Sequence, residues 1–393
     1  MMSYMLGCGI GMLCFLIAYG LQYHCLPPPK IYHGGMESIL GKMPMLKSCG
    51  YVRAFFPCCG SLHQAVQLFA MLVHLRMQET FSKREFEVEP VPVILENGSC
   101  PDYVELHWLV RPQTISPVDA PILLVCPGIA CGPHNLPFTT LYDHIPPLWR
   151  VVVYMKRGMT NTPIRSPAIH LVGHPIDFRT TVLHLTKLYP GAPLHVVSYS
   201  SGNGIVSSCA AMHSAKNMGI SSIACFGGGC DYTQLNPEES MPFFTRLLFD
   251  VFLLNTAKYV LFGKGNRAVL SEHDPKAYST LLSSSSLQSF YNTATDRFSG
   301  YGDDLEANAH INGLFGGVGR LCKNVDVPLL HVFMEDDPLF YRGPSPSWKE
   351  SYSKGRNTAC LVYAHGSHLA CFQNIFTGER WVDRLVSEWL QAV

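Results

Sequence analysis

Leu194-His195-Val196-Val197-Ser198-Tyr199-Ser200-Ser201-Gly202-Asn203-Gly204-Ile205-Val206 is the stretch that decides the fold. Its opening is apolar and partly β-branched, as a buried strand should be. From Gly202 onward, small residues lead through Ser207-Ser208-Cys209-Ala210-Ala211-Met212, which reads as a helix. Ser198 to Gly202 lies between them, and a tight turn there needs small neighbours. A serine at the tip of such a turn carries its hydroxyl above the edge of a sheet. The pentapeptide alone fits a serine-rich turn with no further role equally well.

The rest of the chain adds partners in order. Val327-Pro328-Leu329-Leu330-His331-Val332-Phe333 reads as a strand and runs into Glu335-Asp336-Asp337-Pro338. Ala359-Cys360-Leu361-Val362-Tyr363-Ala364 is another strand, followed by His365-Gly366-Ser367-His368. Serine, then acid, then histidine, each on a loop after a strand, is the chain order of an α/β-hydrolase, with Ser200 at its nucleophile elbow. A serine hydroxyl is a poor nucleophile until an imidazole takes its proton. That imidazole needs a carboxylate on its other nitrogen to hold the tautomer. His368, which leads into the closing apolar segment, is the expected base in preference to His365. Asp337, directly before Pro338, is the expected acid, with Asp336 the alternative. Pro121-Ile122-Leu123-Leu124-Val125-Cys126 reads as a buried strand ending in Pro127-Gly128-Ile129. The backbone amides of Ile129 and Ser201 are therefore the expected oxyanion hole.

With these residues in place, the chain resembles the AB hydrolase 4 family of membrane-anchored α/β-hydrolase-domain esterases and lipases. The likeness covers about residues 50–385. Phe56-Pro57 through Gln64 resembles the family's pre-domain segment. Glu96-Asn97-Gly98 with Leu106-His107-Trp108 resembles D-G-G…L-D-W, and Pro127-Gly128-Ile129 stands for H-G-L. Arg157-Gly158 matches N-x-R-G, Asp336-Asp337-Pro338 matches D-D-P, and Gly366-Ser367-His368-Leu369 resembles G-G-H-L. The chain departs from the pattern at Pro127, at Ser198, at Ser367, and at Leu305-Glu306 where a tyrosine pair is expected. The resemblance implies a lipid ester substrate and no cofactor.

Composition narrows the class. The 393 residues carry a formal net charge of zero and no basic block, which gives nucleic acid no footing. Charged residues make up only 15% of the chain, against the usual ~25%. Met1 to Pro29 contains none of them, and Tyr4 to Leu21 has about the 17–25 residues a bilayer core requires. A single-pass anchor over residues 1–29 is expected, in the endoplasmic reticulum or a similar membrane. Lys30, Lys42, Lys47 and Arg53 follow the span and none precede it, which leaves the catalytic domain on the cytosolic side. The 15 scattered cysteines suit a reducing compartment, and none has zinc spacing to a second ligand, so no metal is expected.

The expected organisation is a tether with short helices over 30–90, including a helix from Gln64 to Met77, and an α/β-hydrolase domain over 91–393. Strands at about 121–126, 151–154, 194–197, 222–226, 329–333 and 360–364 alternate with helices, the pattern of a mostly parallel sheet covered on both faces. Residues 231–325 form the cap insertion, with Phe243 to Phe262 strongly apolar and suited to acyl chains. The terminal helix is placed at Glu379 to Val393. The expected reaction is cleavage of acylglycerol or phospholipid esters by way of an acyl-enzyme on Ser200. Acyl transfer at the same site, a soluble-substrate esterase or thioesterase, and a non-catalytic scaffold remain the alternatives.

Overall fold

The computed structural model describes residues 28–46, 69–71, 73–74, 84–93, 102–111, 116–129, 131–134, 138–159, 164–169, 175–228, 243–262, 265–298, 324–339, 346–374 and 378–393. Nine strands form one sheet among them: β1 (Lys30–His33), β2 (Phe86–Val93), β3 (Asp102–Leu109), β4 (Ile122–Cys126), β5 (Arg150–Met155), β6 (Leu194–Tyr199), β7 (Ile220–Phe226), β8 (Leu329–Met334) and β9 (Thr358–Tyr363). Their order across the sheet is β1-β9-β8-β7-β6-β4-β5-β3-β2. From β5 to β9 the six neighbouring strands are parallel, while β3, β2 and β1 pair antiparallel at the two edges.

Parallel strands covered on both faces are apolar along their whole length, and successive side chains part to opposite sides. Leu123 and Val125 of β4 join one cluster with Val197, Leu330 and Leu361, under Trp381, Leu385 and Trp389 of the helix Trp381–Ala392. Ile122, Leu124 and Cys126 join the other with Val196, Ile223 and Cys360, under Phe178 and Val182 of Pro175–Leu188 and Ile205 and Cys209 of Ser201–Met212. The six strands read from the sequence all form. The central strand β6 delivers Ser200 at its carboxyl end, where open α/β sheets place their sites.

The amino-terminal boundary differs from expectation. Lys30–His33, assigned to a tether, is a strand of the main sheet, paired with Ala359 to Val362 of β9. Met36, Leu40, Met43 and Met45 are buried in the first cluster. Lys42 Nζ donates to the Ala392 carbonyl at 2.9 Å, and the Met45 amide donates to Glu388 at 2.9 Å. Burial of these four apolar side chains explains the difference: a short strand and a few methionines carry little periodicity. The first hairpin also begins at Phe86 rather than at residue 91. The terminal helix begins at Trp381, because Glu379–Arg380 pairs with Phe372–Asn374 as a small hairpin.

The segment Tyr4 to Leu21 and most of Gln64 to Met77 lie outside the described residues, as do 229–242 and 299–323 of the cap. No helix among the described residues is long and apolar enough to cross a membrane. Within the cap, Phe243–Leu248, a π-turn over Phe249–Leu253 and Leu254–Phe262 follow one another without a break. Three more helices follow: Asn266–His273, Pro275–Ser283 and Leu287–Phe298. Their inward residues, Leu254, Leu261, Phe262, Leu281, Phe290 and Phe298, form a third cluster with Met159, Ile164 and Ile169 of the loop after β5.

Met43 is fully buried. Met43→Ala is therefore expected to destabilise the protein by about 2–4 kcal/mol in chemical denaturation. A change under about 0.5 kcal/mol, the level typical of surface positions, would return the segment to a tether.

Candidate active site

Ser200 holds the turn in a conformation that side chains rarely adopt, φ 51° and ψ −120°. Left-handed backbone at a non-glycine residue costs roughly 1–2 kcal/mol and persists only where the surroundings enforce it. Here the surroundings are β7 and β4. The Ser200 amide donates to the Phe226 carbonyl at 2.9 Å. A Cβ on Gly202 would lie 2.6 Å from the Cys126 carbonyl oxygen and 2.9 Å from that of Pro127, so only glycine lets the helix Ser201–Met212 start this close to β4. Ser198, which replaces the first glycine of G-x-S-x-G, is fully buried. Its hydroxyl donates to Asn203 Oδ1 at 2.7 Å, and Asn203 Nδ2 donates to the Phe226 carbonyl at 2.8 Å and to that of Gly228. The departure at 198 thus adds a buried hydrogen bond that ties both sides of the elbow to the end of β7.

The three side chains chosen from the sequence lie in one hydrogen-bonded chain. Ser200 Oγ is 2.9 Å from His368 Nε2, and His368 Nδ1 is 2.9 Å from Asp337 Oδ2. With Nδ1–H donating to the carboxylate, Nε2 is left to accept the serine proton. The second oxygen of Asp337 accepts the Leu339 amide at 2.9 Å, which fixes the carboxylate plane. Asp336 is turned elsewhere. Its Oδ1 accepts the Ser367 amide at 2.7 Å and its Oδ2 lies 3.4 Å from His365 Nδ1, so both members of the alternative pairs serve the loop rather than Ser200.

The loop that carries His368 is bent by three non-glycine residues with positive φ: Ser367 (51°), Leu369 (64°) and Cys371 (47°). Ser367 stands where the resembled motif has its second glycine. Arg380, buried beside Asp383, donates to the carbonyls of Leu369 at 2.8 Å and Ala370 at 3.1 Å and so holds the bend closed.

On the other side of Ser200, the turn Pro127-Gly128-Ile129 passes close enough that a Cβ on Gly128 would lie 3.2 Å from Ser200 Cβ. Ile129 packs against the cap cluster, and Ser201 opens the helix whose positive amide end faces the turn. Lys156, at the end of β5, is buried and donates to Ser201 Oγ at 2.8 Å. Its neighbour Arg157 is buried between Asp177 (2.6 Å) and Asp102 (3.6 Å). Burial pushes the Asp177 carboxyl up, against the pull of Arg157. Asp102 in turn accepts the Arg165 amide at 2.7 Å and the Ser166 hydroxyl, which anchors the loop after β5 below the cap.

Sequence reading missed Lys156, Asn203 and Arg380, and noted Arg157 only as a motif match, without its partners Asp102 and Asp177. A charged residue closing an apolar strand, as Lys156 and Arg157 close Val151-Val152-Val153-Tyr154-Met155, is a usable signal, because such a position is buried and expensive for charge. Asp102 and Asp177 carry no signal until the fold brings them together.

A mostly parallel sheet with serine, acid and histidine on the loops after β6, β8 and β9 defines an α/β-hydrolase fold. No family model matches the chain. Monoacylglycerol lipase ABHD2 of Homo sapiens is 24% identical over 384 residues, covering 93% of this chain and 86% of that protein. Phospholipase ABHD3 of Mus musculus is 23% identical over 301 residues, covering 74% and 69%. Among solved structures, a putative hydrolase of Bacillus subtilis aligns at a TM-score of 0.48 with 10% identity, covering 83% of this chain and 99% of that one. The chain thus has an α/β-hydrolase fold and is similar, at 23–24% identity, to proteins named as AB hydrolase domain lipases and phospholipases.

Two substitutions test the strain in this site. Ser367→Gly is expected to stabilise the protein by about 0.5 kcal/mol, since relief of a left-handed serine exceeds the added backbone entropy of glycine. Gly202→Ala is expected to cost more than about 2 kcal/mol and to displace the elbow. Thermal unfolding checks both, and a neutral Gly202→Ala would remove the close approach to β4.

Proposed function

We propose that the chain is a serine carboxylic ester hydrolase that cleaves lipid esters of the acylglycerol or phospholipid type. The observation that carries this reading is the Ser200–His368–Asp337 chain of hydrogen bonds at the carboxyl ends of β6, β9 and β8. Ser200 Oγ attacks the ester carbonyl carbon while its proton passes to His368 Nε2. Asp337 holds the resulting imidazolium, and the amides of Ile129 and Ser201 receive the negative oxygen. Collapse expels the alcohol, which takes the proton from His368 and leaves an acyl-enzyme on Ser200. Water, deprotonated by His368, then attacks the acyl carbon; the fatty acid departs and Ser200 recovers its proton.

Three observations support a lipid substrate. Relatives covering most of the chain are named a monoacylglycerol lipase and a phospholipase. The cap presents a buried apolar cluster that reaches Ile129 beside the nucleophile, a wall suited to an acyl chain. On the outside of the same cap, Phe243, Leu247, Val251 and Tyr259 are exposed. Large exposed apolar side chains that gather on one element mark contact surfaces. With Tyr4 to Leu21 as a single-pass anchor, this face meets the bilayer that supplies the substrate, on the cytosolic side of an endoplasmic reticulum-type membrane.

Hydrolysis of a long-chain monoacylglycerol and of a phospholipid in vesicles, followed by release of free fatty acid, tests the reading. Ser200→Ala and His368→Ala are expected to lower turnover roughly 10⁶-fold. Asp337→Asn is expected to lower it roughly 10⁴-fold, while Asp336→Asn, which leaves His368 paired, acts mainly on stability. A folded wild type without turnover on either ester favours the scaffold, and acyl transfer to an added alcohol in place of fatty acid release favours the transferase. Activity confined to soluble short-chain esters would remove the lipid assignment.

A further inference from the structure

Lys156 is a buried basic group that bonds the residue after the nucleophile and that the Ser200–His368–Asp337 chain does not use. It closes β5, it is 1% exposed, and the bond it makes to Ser201 Oγ measures 2.8 Å. In the sheet, β4 lies between β5 and β6. A side chain that starts at the end of β5 and reaches Ser201 at the end of β6 therefore crosses the end of β4, where the turn Pro127-Gly128-Ile129 leaves. Its ammonium bonds the first residue of the helix after Ser200 and acts on Cys126 and Cys131, which flank the turn whose Ile129 amide is the other expected oxyanion donor.

We propose that Lys156 is a positioning residue for the oxyanion hole, fixing Ser201 through its hydroxyl and setting a positive charge behind the point where the ester carbonyl becomes negative. The proposal rests on the ester-hydrolase reading above. Its physical basis is the low dielectric of the site. A charge removed from water acts on a developing anion several times more strongly than the same charge at the surface. The bond to Ser201 also explains why a second serine, rather than any small residue, follows the nucleophile in this chain.

A lysine kept in such a place is costly to the fold. Burial pushes its ammonium down to about 7 from an ordinary value of 10.5. Among the described residues, the titratable groups that act on it include the thiols of Cys131 and Cys126, from the loop after β4 and from β4 itself. Burial pushes the Cys126 thiol well up, so it stays neutral and does not offset the charge. Arg157, the next residue, is engaged by Asp177 and Asp102, and His368 contacts Ser200 rather than Ser201. The sign follows from linkage: as pH rises through about 7 the folded protein gives up this proton while the unfolded chain keeps it, so stability rises with pH in that window. Below it the charge is present, useful to catalysis and costly to the fold.

The test compares wild type with K156Q, which keeps a donor for Ser201 Oγ without the charge, and with K156M, which keeps neither. Second-order rates of labelling by a fluorophosphonate are measured from about pH 5.5 to about pH 9, on both sides of the lysine's titration. The ratio of wild type to K156Q removes any pH dependence common to both proteins. It is expected to be roughly tenfold or more at the acid end and to fall toward one at the alkaline end. K156M is expected to be slower than K156Q at every pH, while both variants melt no lower than wild type at the acid end. A purely structural lysine would give a ratio independent of pH with lowered melting in both variants, and that result overturns the proposal. A ratio of one throughout overturns it as well. A wild type that labels at no pH sinks the hydrolase reading itself, and this proposal with it.

Discussion

The reversal of the chain at Ser200 is the constraint around which the remaining parts are arranged. A strand feeds directly into a helix through one residue with left-handed φ, and that residue carries the hydroxyl. Such a turn does not hold itself. It is held by the Phe226 carbonyl on one side, by the fit of Gly202 against the carbonyls of Cys126 and Pro127 on the other, and by the Ser198–Asn203 bond beneath. The order of strands, with β6 between β4 and β7, is what brings those three supports to one place.

Around the elbow the protein buries charge, and each buried group secures one loop. Arg157 with Asp102 and Asp177 ties the loop after β5. Arg380 with Asp383 closes the bend that presents His368. Buried pairs of this kind add little net stability compared with apolar side chains of the same volume, but removing one partner leaves the other uncompensated. Their value here is geometric, because the histidine loop alone contains three strained residues and would relax without Arg380. The loop after β5 meets the cap, whose apolar interior reaches the turn at Ile129. The apolar interior of the cap and the charge-holding scaffold therefore share a boundary at the turn Pro127-Gly128-Ile129.

Much of this was legible in the sequence. The parallel strands were visible because both faces are buried and each therefore reads as an unbroken apolar run. Ser200, Asp337 and His368 were visible because each follows such a run in the order the fold demands. Asp337 was preferred to Asp336 only for its place directly before Pro338, since adjacent carboxylates on one loop differ only in the direction the backbone gives them. The structure turns one to His368 and the other to the Ser367 amide. The edge strand Lys30–His33 was not legible: four residues paired on one side carry no periodic signal, and the methionines behind it are placed by tertiary contact alone. Glycine lost at 198 and at 367 reads as decay in the motif. In the fold, one serine forms a buried bond and the other bears the strain that glycine would relieve.

Fluorophosphonate treatment of the full chain, followed by intact mass and peptide mapping, tests the central claim most directly. A single adduct on Ser200, absent from Ser200→Ala and strongly slowed in His368→Ala, is the predicted result. A folded protein that acquires no adduct, or acquires it at another serine, would contradict the account of Ser200 as an activated nucleophile.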